Sequence, residues 1–250
     1  MRATRFCAAP YNHPMNTTIR IGCAGWSIGR DEASSFPGDG SHLERYARVL
    51  NAVEINSSFY KPHQPATYAR WAASVPAAFR FAVKLPRSIS HDQRLVDIET
   101  LLAAFAGQAN TLGDKLGCIL VQLPPSLRFD AAVASAFFTG LRQHFSCALA
   151  CEARHGSWFD DAATALLSAD GITRVIADPP AGAAGPFVPT TEMVYARLHG
   201  SPRMYYSSYT DEYLGDVAAY LAGRAAWCIF DNTASGAALP NALQFQRKTA

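Results

Sequence analysis

The sequence has no unbroken apolar run of the length needed to cross a bilayer, which argues against a membrane-spanning helix. It also lacks a surplus of charge: 22 Lys and Arg stand against 20 Asp and Glu, a net +2. A dedicated nucleic-acid binder usually carries a concentrated basic excess, so an anionic ligand is permitted here and not demanded. No CxxC pair is present. The six cysteines, Cys7, Cys23, Cys118, Cys147, Cys151 and Cys228, are scattered, and no second thiol or histidine pair accompanies Cys147 and Cys151 at zinc-finger spacing. They read as small buried hydrophobes, and a reduced, cytoplasmic setting is expected. Residues 1–18, with Asn12, His13, Pro14 and Asn16, lack the apolar core of a signal peptide and read as a flexible N-terminal tail. No Gly/Ser or Pro linker divides the remainder and no repeat of 20 to 50 residues runs through it, so 19–250 reads as a single domain.

What is present is an ordinary globular composition, 49% hydrophobic and 17% charged, enough for a buried core. Short β-branched or apolar runs alternate with longer Ala/Leu-rich segments of helical period, the rhythm of a parallel sheet. Strands are expected at 19–23, 52–55, 80–84, 118–122, 148–152, 173–178, 194–198 and 227–231. Helices are expected at 42–50, 65–74, 97–110, 131–143, 159–169 and 211–222, with a closing helix at 239–248. The sixth connection, 179–192, is rich in Pro and Gly and reads as an irregular loop. Eight strands with even spacing fit an α/β protein of the TIM-type (β/α) barrel class. The competing doubly wound sheet would need a phosphate-binding loop after its first strand. That position reads Gly22-Cys23-Ala24-Gly25-Trp26, with a bulky ring where a third glycine is needed, so no nucleotide-cofactor motif is present.

In such barrels the interior is packed and chemistry sits at the carboxyl ends of the strands. Those ends are polar here. They supply Glu54 and Asn56 with Tyr60, Lys84 with Arg87 and His91, Gln122, then Glu152, Arg154 and His155 with Trp158, followed by Asp178, Arg197 with His199, and Asp231 with Asn232. Burying such groups costs several kcal/mol unless they pair or meet water, so their shared position predicts a wet, converging cleft. Glu54 and Lys84 end neighbouring strands and can equally be an ion pair that plugs the mouth. Glu152 and Arg154 alternate about Ala153 and can pair with each other. Arg197 and His199 alternate on one strand and are expected to face a ligand together, the arginine as clamp and the histidine as acid or base. Trp26, Tyr60, Trp158, Tyr206 and Tyr209 are candidates to wall a pocket by stacking, and such rings also serve as packing.

Seven segments in order carry a resemblance. They are Gly22-Cys-Ala-Gly-Trp26, Val53-Glu-Ile-Asn-Ser-Ser-Phe-Tyr60, Phe79-Arg-Phe-Ala-Val-Lys84, Val121-Gln-Leu-Pro-Pro125, Glu152-Ala-Arg-His-Gly-Ser-Trp158, Ala196-Arg-Leu-His-Gly200, and Phe230-Asp-Asn232 with Asn241-Ala242. Together they resemble the domain-of-unknown-function 72, or YecE-like, family from about residue 19 to the end. The resemblance implies a TIM-type barrel and no particular reaction. The departures are Cys23-Ala24 where Thr-Ser is usual and Ala153 where an aromatic is usual, and neither removes a charged group.

The functional expectation is a cleft for an anionic ligand, a phosphate-bearing small molecule or a nucleic acid, with Glu54, Glu152, His199 and Asp231 as catalytic candidates. Ligand contacts are expected from Trp26, Asn56, Tyr60, Lys84, His91, Gln122, Arg154, His155, Trp158, Asp178, Arg197, Tyr206 and Asn232. Phosphodiester hydrolysis is one reaction open to such a site. It generally needs divalent metal, for which Glu152, Asp178, His199 and Asp231 are the candidate ligands, although no HxH or HxxxH spacing is present. Metal-free acid/base chemistry on a sugar-like or small organic acid substrate is the alternative. A binding module for an anionic ligand or single-stranded nucleic acid, without turnover, is the third. The sequence leaves the oligomeric state open.

Overall fold

The computed structural model describes residues 18–182 and 186–249. Residues 1–17, which hold most of the expected tail and Cys7, lie outside them, as do residues 183–185 of the sixth connection. Eight parallel strands form one sheet, β1 (Ile19–Cys23), β2 (Ala52–Ile55), β3 (Arg80–Lys84), β4 (Leu116–Gln122), β5 (Ala148–Glu152), β6 (Thr173–Asp178), β7 (Val194–Leu198) and β8 (Ala226–Phe230). Their order is β1-β8-β7-β6-β5-β4-β3-β2, and a single parallel bridge from Ala24 to Glu54 joins the two edge strands. The result is a nearly closed TIM-type barrel. Helices α1 (His42–Ala47), α2 (Pro65–Ala73), α3 (Glu99–Ala109), α4 (Ala131–His144), α5 (Asp161–Ala169), α6 (Asp211–Leu221) and α7 (Ala238–Thr249) cover its outside. None of them is long and apolar enough to cross a membrane.

Local chemistry starts several of these helices. Ser41 and Glu44 form a reciprocal capping box on α1, Pro65 opens α2, and the Asp130, Asp160 and Thr210 side chains accept from the first-turn amides of α4, α5 and α6. Between β6 and β7 no helix occurs among the described residues, so this connection is irregular. Strand β4 begins two residues before the apolar run that announces it. Leu116 pairs with Phe81, and the ring of Trp227 lies where a side chain on Gly117 would stand. That glycine is packed into the sheet.

Two apolar layers hold the barrel. Between sheet and helices lies the main core, including Phe81, Val83, Ile119, Val121, Leu198 and Phe230. Inside the barrel a smaller cluster combines Ala52, Ala82, Cys118, Leu120, Ala150 and Val175 with Tyr195, Trp227 and Ile229. The small alanines leave room for Tyr195 and Trp227, which stack with centroids 5.8 Å apart. Because side chains alternate along a strand, the next residues with the same facing are Glu54, Lys84, Gln122, Glu152, Arg197 and Asp231. The apolar floor therefore gives way to charge at the carboxyl ends. Among the described residues Cys23, Cys118, Cys147, Cys151 and Cys228 are free thiols.

Candidate functional site

Arg197, wholly buried at the end of β7, is the centre of this charged layer. Its Nε and Nη2 donate to Glu54 Oε2 and Oε1 at 3.0 and 2.7 Å, the two-pronged geometry that suits guanidinium to carboxylate. Nη2 also donates to Asp231 Oδ2 at 2.9 Å, and Nη1 to Glu152 Oε2. Glu54 accepts one further bond, from the Tyr195 hydroxyl at 2.9 Å. Three carboxylates from β2, β5 and the end of β8 thus converge on one guanidinium. An uncompensated carboxylate at this depth would be costly, and Arg197 supplies the compensation.

Above it sits His199, almost fully buried. Its Nδ1 donates to Asp231 Oδ2 at 2.9 Å. Its Nε2 lies 3.2 Å from Glu152 Oε1, at ion-pair distance but off the line of a hydrogen bond. Burial opposes the charged ring, yet Glu152 and the bond to Asp231 outweigh it and raise the pKa above 6.5. Burial likewise opposes ionisation of Glu152 and Asp231. Arg197 and His199 override it, holding Glu152 well below the usual carboxylate range and lowering Asp231 as well.

The rim is cationic. Arg154 donates through Nε and Nη2 to Glu152 Oε1 at 3.1 and 2.9 Å, keeps 18% of its side chain exposed, and reaches the Tyr205 hydroxyl. Lys84 ends β3 with its Nζ 4.2 Å from the centre of the Phe59 ring. Burial first, and Arg197 next, bring its pKa down to about 8. His91 stands edge-on to the same Phe59 ring, and burial, then Lys84, lower its pKa. Asn56 Nδ2 donates to Asp231 Oδ1 at 3.4 Å while its own Oδ1 is buried without a partner. Gln122, buried, lies in register with Glu152.

The structure therefore brings together Glu54, Asn56, Lys84, Gln122, Glu152, Arg154, Arg197, His199 and Asp231, with His91 beside them. Other expected contacts are engaged elsewhere. Asp178 accepts from the Tyr209 hydroxyl at 3.0 Å and shares its carboxylate with Tyr213, which takes it out of the candidate metal set. Trp158 is buried against Phe129 and donates to Leu127 O; it is core. Trp26 packs edge-on to Trp71. His155 caps the backbone of Ser157, and Asn232 donates to Ser207 O and Asn241 Oδ1. Tyr206 is exposed beneath Arg203, and Tyr60 is 75% exposed against the edge of Phe59.

Arg197 also departs from the expected role of ligand clamp. Its guanidinium is inaccessible, wholly buried with its donors directed at Glu54, Glu152 and Asp231. Glu152, His199 and Asp231 do converge as candidate metal ligands, but the cation already bonded to both carboxylates is Arg197. Among the described residues no group of three or more His, Cys, Asp and Glu side chains is arranged to hold a metal ion. Three site residues escaped the sequence reading. Tyr195 carries the same period-two signal as Arg197 and His199 and was findable on that ground. Phe59 beneath Lys84, and Tyr205, whose ring meets His199 edge-on at 5.8 Å, carry no such signal. Tyr205 has a φ of 69°, an uncommon conformation for a side chain of this size.

The model for the family described as "Protein of unknown function DUF72" matches residues 20–250. Similar proteins include UPF0759 protein YecE of Escherichia coli (strain K12), 30% identical over 142 residues, covering 54% of this chain and 52% of that protein. UPF0759 protein YunF of Bacillus subtilis (strain 168) is 26% identical over 179 residues, covering 65% and 61%. In both, the match spans less than two thirds of the relative's own length. Among solved structures, a DUF72 family protein from Enterococcus faecalis V583 superposes with a TM-score of 0.77 at 24% identity, covering 93% of this chain and 95% of that one. Another from Thermotoga maritima MSB8 gives 0.75 at 25% identity, covering 92% and 98%.

Proposed function

The chain belongs to DUF72, a protein family of unknown function, and from the geometry of the barrel mouth we propose that it binds a small anionic organic molecule and moves a proton on it without metal. The observation that carries this reading is His199. It is a buried imidazole between two carboxylates, with Nδ1 fixed by Asp231 and Nε2 lacking an aligned acceptor. A ring held in one orientation, with its pKa raised by the neighbouring carboxylates and its second N–H not aligned on an acceptor, is suited to give or take a proton. Charge balance supports an anion as the ligand. Glu54, Glu152 and Asp231 are matched by Arg197, Arg154 and Lys84, and protonated His199 leaves one positive charge over. Arg154 and Lys84 lie at the rim and can share that anion, while Arg197 holds the three acids in place.

The carboxylates that would serve a divalent ion are bonded to Arg197, which favours the metal-free route over phosphodiester hydrolysis by bound metal. The test has two parts. Melting of the native protein with a panel of carboxylic and phosphorylated small molecules should rise with anion concentration, because a ligand that binds only the folded state stabilises it by mass action. Arg154→Met should weaken that response. Binders carrying an acidic C–H are then followed by proton NMR in deuterated water. Exchange of that hydrogen should be lost in His199→Gln while binding is kept. If no anion raises melting of the native protein more than of Arg154→Met, or if His199→Gln exchanges as fast as native, the reading falls.

A further inference from the structure

The chain has four lysines, and Lys84 stands apart from the other three. Lys61 is exposed, Lys115 donates to the carbonyls of Val75 and Pro76, and Lys248 pairs with Asp211. Lys84 is buried inside the barrel mouth with 7% of its surface still open. Its Nζ lies over the Phe59 ring and, among the described residues, has no hydrogen-bond acceptor and no carboxylate at ion-pair distance. The acids that would ordinarily hold such an ammonium are already drawn to Arg197. Largely desolvated surroundings without a bonded partner enlarge the share of the neutral amine, although the ammonium stays the majority form. At pH 7.5, with a pKa brought down to about 8 by burial and Arg197, its free-amine fraction is on the order of a hundredfold that of an ordinary lysine.

The geometry points to Lys84 as an amine nucleophile that condenses with the carbonyl carbon of a small anionic aldehyde or ketone. This deepens the reading of the site given above and rests on it. The Nζ lone pair forms the C–N bond as the carbonyl π pair moves onto oxygen, and one N–H proton passes to that oxygen to give a neutral carbinolamine. The C–O bond then breaks and the oxygen leaves as water with a proton from the His199 imidazolium. The remaining lone pair on nitrogen closes the C=N bond, so the iminium takes over the positive charge that His199 gives up. Such an iminium acidifies the adjacent C–H, and the His199 ring, now neutral, is in the state to accept that proton. Arg154, partly exposed at the rim, is placed to hold the carboxylate or phosphate of the same molecule.

The native protein is incubated at pH 7.5 with sodium cyanoborohydride and, separately, pyruvate or glyceraldehyde 3-phosphate, then read by intact mass and peptide mapping. One adduct per chain is expected, on Lys84, forming at least about tenfold faster than on Lys61, given its larger free-amine fraction. Lys84→Arg keeps the charge but not the nucleophile and should form no such adduct. Adducts confined to Lys61, Lys115 and Lys248, or none with either compound, overturn the proposal. The map is taken on the native chain, so it decides whether or not Lys84→Arg folds. Acetate and inorganic phosphate, which offer no reactive carbonyl, separate the two readings. If they raise the melting temperature while neither carbonyl compound labels Lys84, imine formation is rejected and anion binding stands. If they also have no effect, both fall.

Discussion

Arg197 makes four hydrogen bonds to three carboxylates and is closed off from solvent. Replacing it with methionine keeps the length of the side chain but leaves Glu54, Glu152 and Asp231 facing one another without a counterion. Removing one partner of a buried ion pair typically destabilises by about 3 to 5 kcal/mol, because the charge left behind stays desolvated. Arg197→Met should therefore lose stability on that scale in urea unfolding, and adding Glu54→Gln should recover part of the loss, since the two residues are directly coupled. A variant that unfolds like the native chain and only loses ligand affinity would contradict this role. Arg154 is the contrasting case. It bonds one of the same acids from a partly exposed position, so its replacement is expected to weaken ligand binding with a much smaller effect on unfolding.

At the scale of elements, the seam between β1 and β2 closes the barrel with one bridge, Ala24 to Glu54, and that bridge carries one of the three buried acids. Gly22 lies on the same seam. A Cβ built on it would stand 2.2 Å from the carbonyl oxygen of Ala52, a backbone atom that cannot swing aside. The glycine is needed for this close approach and not for an unusual backbone angle. Gly22→Ala should cost roughly 1 to 3 kcal/mol by overpacking. It should also shift Glu54, so anion binding should weaken together with stability. Unfolding at the native urea midpoint would show that the two strands can separate freely there. The contrast with Gly117 is instructive, because that position is filled by the Trp227 ring and both glycines serve packing inside the sheet.

For the whole molecule, the charged layer links stability to pH in two opposite senses. Glu152 and Asp231 have lowered pKa values when folded, so their contribution is present above their ordinary values of 4.5 and 3.8 and is lost as pH falls through the folded ones. His199 is raised, so its contribution is complete below 6.5 and is lost as pH rises through its folded pKa. The cluster should therefore stabilise most between about pH 4.5 and 6.5. Urea midpoints across pH should show the gap between the native chain and His199→Gln widest in that window and shrinking above it; a gap independent of pH would remove the raised histidine. The alternation of apolar and helical segments was enough to read eight strands and a barrel, because burial on both faces of a parallel strand leaves a mark on every residue of a short run. Strand ends were legible for the same reason, which is why Glu54, Lys84, Glu152, His199 and Asp231 could be named together. Partner choice was not. Glu54 and Arg197 are 143 residues apart, and Asp178, which ends its strand in the same way as the others, is turned to Tyr209. Composition and periodicity report whether a side chain is buried and on which face of its strand. Which acid meets which base is set by distances of a few ångströms across a closed barrel, and only the tertiary structure, by seating Arg197 among three acids and leaving Lys84 without one, decided that.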